Sequence, residues 1–417
     1  MQSSWRHVKL VEVAEVNPKL PNRDSIPDDL DVQFLPMKLV EEVSGKIELS
    51  ETRTYSEVRK GYTPFTDGDV IFAKVTPCME NGKMAVVGGL KNGIGFGSSE
   101  FHVIRSKGEL VNKYAFYYFV QARFRSEAEN AMTGAVGLRR VPKQFLENYI
   151  LPLPPSEQQK QIVSKIEELF SELDKSIEEL KTAQQQLKVY RQAVLKLAFE
   201  GRLTNGDVKE GELPQGWKWV RMNDVCTKIG DIDHKMPKQL STGYPYVSTK
   251  DFTDNLKISF DKAKYISKDD YLNLSRKIKP ERGDIIFPRY GTIGKNILVD
   301  FDKEFLVSYS CAVVKPNRNL VLSKYLYLYS LSPKITDEIK KYVVETTQAN
   351  IGIASIKSFV FPLATLIEQE EVVQEVESRL SVCDKVEETI TNSLKQAEAL
   401  RQSILKQAFE GRLGNVF

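Results

Sequence analysis

Two long stretches of this chain, 156–203 and 367–413, share one hydrophobic pattern. In the first, apolar side chains recur at steps dominated by three, four and seven residues: Val163, Ile166, Phe170, Leu173, Ile177, Leu180, Leu187, Val194 and Ala198. Adding 210 to each number gives Val373, Val376, Leu380, Cys383, Glu387, Ile390, Ala397, Ile404 and Ala408, the same seam with one charged defect at Glu387. Neither stretch has an internal glycine or proline before its last turn, so each predicts one continuous amphipathic helix. A helix that long is not stable alone and needs a partner for its stripe. The nearest partner is its own duplicate, and an antiparallel pair is favoured because it places the two intervening segments at opposite ends of a coiled coil.

Between the helices the pattern changes to short runs of strand character, such as Val70-Ile71-Phe72-Ala73 after Gly68-Asp69 and Ile285-Ile286-Phe287 after Gly283-Asp284. Aromatic-rich helical stretches follow at 114–125 and 325–331. The expected fold class is α+β: two mixed α/β globular segments separated by the helices, with an approximate two-fold axis. The boundaries read as 1–155 and 216–366 for the globular segments, 156–203 and 367–413 for the helical regions, and 204–215 for a polar linker.

The duplication extends beyond the seam. Phe-Glu-Gly-Arg-Leu closes both helices, at 199–203 and 409–413, and at the same offset Asp174, Arg191 and Leu195 match Asp384, Arg401 and Leu405. Gly201 and Gly411 predict left-handed C-caps. Ser156 predicts an N-cap for the first helix. Arg191 and Arg401 fall on or beside the seam, where a guanidinium can pair with a carboxylate of the other helix or snorkel out to solvent, a structural role in either case. Trp5 and Trp217 open the two globular segments at corresponding places.

Composition narrows the functional classes. The 417 residues carry a net charge of only +3, but residues 204–366 hold 25 basic against 19 acidic side chains, and 367–417 hold 6 against 10. That asymmetry permits a nucleic-acid face. Four scattered cysteines and three histidines suggest no disulfide framework, zinc site or other metal site. With no basic-then-apolar leader and no apolar run of ~18 to 20 residues, the expected location is the cytoplasm. Gly291-Thr292-Ile293-Gly294-Lys295-Asn296 lacks the spacing of a phosphate loop and reads as a turn between strands. Gly93-Ile94-Gly95-Phe96-Gly97 lacks the dinucleotide fingerprint and reads as a loop. No catalytic centre and no cofactor site is evident, so a non-enzymatic role is expected.

The residues suited to touching DNA lie in loops at corresponding places of the two segments. In the first they are Lys74, Thr76, Asn81 and Lys83, with Arg139, Arg140 and Lys143 before the helix; Glu80 lies among them. In the second they are Arg289, Tyr290, Thr292, Lys295 and Asn296, followed by Gln348 and Asn350. Arginine and lysine match guanine acceptors or phosphate, and asparagine and glutamine match adenine.

The order of globular segment, Leu-Pro-Pro-Ser-Glu-Gln-Gln, long helix, Ala-Phe-Glu-Gly-Arg-Leu, second segment opening near Gly216-Trp217, second long helix and a second Ala-Phe-Glu-Gly-Arg-Leu resembles the specificity subunit of type I restriction-modification systems. The resemblance covers essentially the whole chain. It departs at the second helix start, where Leu363-Ala364-Thr365-Leu366-Ile367 lacks the paired prolines of the first. The resemblance implies two target-recognition domains that each read one half of a bipartite DNA target. It also implies an antiparallel coiled coil that acts as a ruler, two docked modification subunits, and restriction subunits joining through the complex. Those partners would supply adenine methylation from S-adenosylmethionine and ATP-dependent cleavage. The competing expectation is a coiled-coil scaffold that binds proteins and no DNA.

Overall fold

The computed structural model describes residues 5–135, 137–209, 211–234, 236–342 and 350–413. The chain divides into two units, residues 1–180 with 392–417, and residues 181–391. Each unit holds one globular segment and a stretch of both long helices.

In the first unit, strand Arg6–Lys9 pairs antiparallel with Ile150–Leu153, so the globular segment is closed by its own two ends. Pro152 is tolerated because this is a two-stranded ribbon, where one face of each strand needs no amide donor. Strand Val70–Ala73 is wholly buried between Phe101–Ser106 and Met84–Val86, and Ala14–Val16 pairs on the far side of Phe101–Ser106. A second four-stranded sheet sets Asp31–Leu35 parallel to Ile94–Gly97, with Glu51–Thr54 and Thr63–Thr66 at its edges. The stretch 93–97, expected as a loop, is therefore a strand from Ile94 on. Its glycines are the reason: a Cβ on Gly95 would meet the Phe65 ring at 2.1 Å, and one on Gly97 would meet the Leu35 carbonyl at 2.6 Å. They give neighbouring chains room rather than cradling a ligand.

The second unit repeats the plan. Lys218–Arg221 pairs with Val360–Leu363 as the closing ribbon. Ile285–Pro288 lies buried between Cys311–Pro316 and Ile297–Leu298, with Cys226–Gly230 beyond. Tyr244–Val247 runs parallel to Leu306–Val307 and antiparallel to Lys264–Ile266. Segment 291–296 is the connection between antiparallel strands, as expected.

Both seams form 44-residue helices, Ser156–Phe199 and Leu366–Phe409, each about 66 Å long at ~1.5 Å per residue. Within each unit they pack antiparallel. In the first, Ile162, Val163, Ile166 and Phe170 share a core with Ile404, Leu405, Ala408 and Phe409. In the second, Val194, Leu195, Ala198 and Phe199 share one with Val372, Val373 and Val376. Arg191 bonds Asp384 at 2.7 Å and Glu387 at 2.9 Å, which gives the charged defect in the seam its partner. The duplicate arginine, Arg401, pairs with Asp174 and lies over the Phe170 ring at 4.5 Å. The same Arg–Asp pair is thus made twice, once in each unit.

The helix ends follow local rules. At the first stop Gly201 has φ +72° and donates to Ala198, while Arg202 donates to Leu197. Gly411, at φ +70°, and Arg412 repeat this with Ala408 and Gln407, the Schellman pairing of a left-handed cap. At the first start Gln159 donates to the Pro155 carbonyl, so the helix opens one residue before the Ser156 cap expected. At the second start, which lacks the paired prolines, Thr365 caps instead: Gln369 donates to its carbonyl and Glu368 returns to its amide and hydroxyl.

The caps lock the frame through their phenylalanines. Phe199 packs edge-on against Tyr325 and Tyr329 at 5.1 and 5.3 Å, and Phe409 against Tyr114 and Tyr118 at 5.1 Å each. Each long helix therefore ends on the aromatic helix of the globular segment it does not follow in sequence. The tyrosines are fixed in turn, since the Tyr114 hydroxyl donates to Pro152 O and that of Tyr325 to Pro362 O.

Candidate nucleic-acid interface

In both units a Gly-Asp turn feeds the central buried strand. Gly68 and Gly283 sit at φ +89° and +91°, a region open to glycine. The following aspartate accepts the amide three residues back, Thr66 N to Asp69 at 2.8 Å and Glu281 N to Asp284 at 2.7 Å. Asp69 is gripped by Arg105 at 2.6 and 2.8 Å, and Asp284 by Lys315 at 2.5 Å. Burial raises the Asp284 carboxyl even though Lys315 opposes it. The strands leave these turns and deliver the residues just past their ends, Lys74 and Arg289, to a loop.

Each loop is stitched to the segment ahead of the closing ribbon. In the first unit Val141 donates to Lys74 O at 2.9 Å, Thr76 donates to Arg139 O at 3.1 Å, and Val75 pairs with Arg140. In the second Ile351 donates to Arg289 O at 3.0 Å and Tyr290 pairs with Asn350. The fold thus brings Lys74, Thr76, Arg139 and Arg140 together, and Arg289, Tyr290 and Asn350 together. Gln348 lies outside the described residues.

The side chains differ in what they have free. Lys74 donates to Ser99 O and Lys83 to Val40 O. Thr76 bonds Glu80 at 2.8 Å, and Asn81 bonds Glu42 at 2.8 Å. Arg139 lies 3.5 Å from Glu129 and 4.0 Å from Glu80, and Lys143 lies 3.0 Å from Glu147 one turn along its own helix. Arg140 makes a two-bond fork to Glu100 at 2.7 and 2.8 Å. In the second unit Arg289 is buried, paired with Asp231 and donating to Ile351 O at 3.0 Å, so it holds the loop from beneath. Asn296 is fully buried and donates to Ser330 O at 2.7 Å. Lys295 is half-exposed beside Asp254 at 3.1 Å, and the Thr292 amide closes a turn on Tyr290 O.

Three supporting residues were not singled out in the sequence. His102 is buried, and burial pushes its imidazole below its usual pKa. A carbonyl only accepts, so Nε2 donates to Val141 O at 2.9 Å and the Asn17 amide donates to Nδ1 at 3.0 Å, which fixes the neutral tautomer. It braces the same backbone point in the first unit that Arg289 braces in the second. Gln159 and Gln369, both fully buried, each bond one amide and two carbonyls: Val111 N, Glu109 O and Pro154 O, and Leu322 N, Leu320 O and Ala364 O. They weld each helix start to its globular segment. The signal for them was present, since the constant offset of 210 pairs Gln159 with Gln369. Among the described residues no cluster of three metal-ligating side chains occurs, and no helix is long and apolar enough to cross a membrane.

The profile of the type I restriction modification DNA specificity domain matches residues 2–184 and again 214–396. The chain belongs to that family, as a type I restriction-modification specificity subunit carrying the domain twice. Its similar relatives include the type I restriction enzyme EcoAI specificity subunit of Escherichia coli, 24% identical over 95% of this chain and 81% of the relative. The EcoEI specificity subunit of Escherichia coli is 25% identical over 97% and 83%. Among solved structures, a chain from a study of complex assembly and conformational transition of the type I R-M system superposes with a TM-score of 0.76, at 21% identity over 98% of both chains. The HsdS subunit of Thermoanaerobacter tengcongensis superposes at 0.61, with 20% identity over 98% and 97%. Those two likenesses speak for the fold.

Proposed function

We propose that this chain supplies the DNA address of a type I restriction-modification complex. Segments 1–155 and 216–366 each read one half of a bipartite duplex target. The helical regions 156–203 and 367–413 set the gap between the halves and dock two modification subunits, through which restriction subunits join. Chemistry on the DNA belongs to those partners, and this chain contributes recognition and spacing.

The observation that carries the reading is a shared frame with unlike contents. Both units deliver a basic loop from a buried Gly-Asp strand and stitch it with the same backbone bond, Val141 to Lys74 and Ile351 to Arg289. The side chains on that frame differ, as Lys74 against Arg289 and Arg140 against Asn350. Two different half-sites call for that arrangement, because backbone contacts position a protein on DNA and base contacts specify sequence. The two continuous helices, each passing from one unit into the other, are suited to hold a gap.

Binding of the full chain with its modification subunit to duplex DNA tests this. The logarithm of the binding constant should fall linearly with the logarithm of salt concentration, by roughly 0.9 for each phosphate contact. Absence of any retention at low salt would leave only the scaffold reading.

A further inference from the structure

Among the cations of the first reading loop, Arg140 is held differently from the rest. Its backbone exchanges hydrogen bonds with Thr133, at 2.8 and 3.0 Å, and pairs with Val75. Its side chain meets Glu100 through two parallel bonds, Nε to Oε2 at 2.8 Å and Nη2 to Oε1 at 2.7 Å. Glu100 is anchored as well, because its carbonyl accepts from Lys74 N at 2.9 Å and its amide donates to Ser98 Oγ at 3.2 Å. A guanidinium has five N–H donors in a rigid plane. Glu100 takes two of them, and among the described residues Nη1 otherwise reaches only Leu138 O, at 3.4 Å. The Nη1/Nη2 end keeps donors to spare on a side chain that is 40% exposed.

A fork held on one edge and open on the next is suited to a pair of acceptors on a base. Guanine offers such a pair in the major groove, O6 and N7. The carboxylate also cancels the arginine's charge, so the pair draws little attraction from phosphate and adds discrimination in place of general affinity. Glu100 is held below its usual pKa chiefly by the hydrogen bond from Arg140, so it is ionised at neutral pH and the fork stays closed. The neighbouring cations lack this geometry. Lys74 and Lys83 are point charges tied to carbonyls, and Arg139 sits more loosely between two carboxylates.

We propose that Glu100 is a positioning residue that presents the open end of Arg140 to the O6 and N7 edge of a guanine in the half-site read by the first globular segment. The proposal rests on the DNA-reading assignment above. It applies to one half-site only, because strand register places Ser310 and Asn350 at the corresponding positions of the second unit.

Base-by-base profiling of methylated targets, using the full chain with its modification subunit, tests this with Glu100→Gln and Arg140→Lys. Both variants should turn a single guanine position of one half-site degenerate, with roughly ten-fold or greater loss of discrimination there. The other half-site and the gap should not change. Glu100→Gln should also bind non-target duplex more tightly, because the freed guanidinium turns to phosphate. Arg140→Lys keeps the charge and a donor that can still reach guanine but loses the rigid fork, so discrimination should fall while binding persists. This variant tests the fork alone if the glutamine variant misfolds. An unchanged target with Arg140→Lys, or a loss spread over both half-sites, overturns the proposal. Failure of the unmodified complex to methylate any bipartite target would instead sink the DNA-reading assignment, and this proposal with it.

Discussion

Phe199→Ala is expected to loosen the second unit and spare the first, although Phe199 follows the first globular segment in sequence. Its ring is fully buried against Tyr325 and Tyr329. Truncating a buried phenylalanine costs on the order of 3 to 5 kcal/mol. The loss falls where the side chain packs, so hydrogen exchange should quicken across the helix Ser323–Tyr329 while the helix Asn112–Phe119 keeps its protection. Phe409→Ala should give the converse, since that ring packs on Tyr114 and Tyr118. Equal loss in both helices, or loss only in the segment that precedes the mutated residue, would contradict the exchange of caps.

Lengthening the helices should change the gap and leave the half-sites alone. A heptad inserted into both helices where they pass between units, after Leu180 and after Thr391, preserves the seam, with Arg191 still opposite Asp384 and Arg401 opposite Asp174. It adds about 10 Å at ~1.5 Å per residue, equal to about three base pairs at ~3.4 Å each. The methylated target is then expected to carry a gap about three base pairs longer between the same two half-sites. The same insertion in one helix alone leaves only one of the two Arg–Asp pairs, with its facing apolar layers, able to stay in register, and methylation should be lost. A gap unaffected by the double insertion would remove the helices from any measuring role.

Much of this architecture is legible in the sequence because it depends on period and repetition. The seam residues announce both helices, and the reciprocal pairs are printed as Asp174 and Arg191 with Asp384 and Arg401. Even the defect has a sequence-visible answer: Glu387 replaces an apolar residue where Arg191 can reach it. Other features depend on neighbours far along the chain and leave no local mark. Arg289 has the look of an exposed loop donor, yet its fate is set by Asp231, 58 residues away. Asn296 is drawn inward by a carbonyl 34 residues away. The glycines at 95 and 97 have a loop's composition, but they answer to Phe65 and Leu35 on adjoining strands. Glu100 carries no motif, and only folding brings it against Arg140, 40 residues on.

The modular claim has its most direct test in the methylomes of two hosts that share one modification partner. One carries this chain, and the other carries it with residues 1–150 replaced by the corresponding segment of another specificity subunit. The account predicts two bipartite targets that differ in one half-site and agree in the other half-site and in the gap. A change in both half-sites, or a single uninterrupted target in either host, would contradict it.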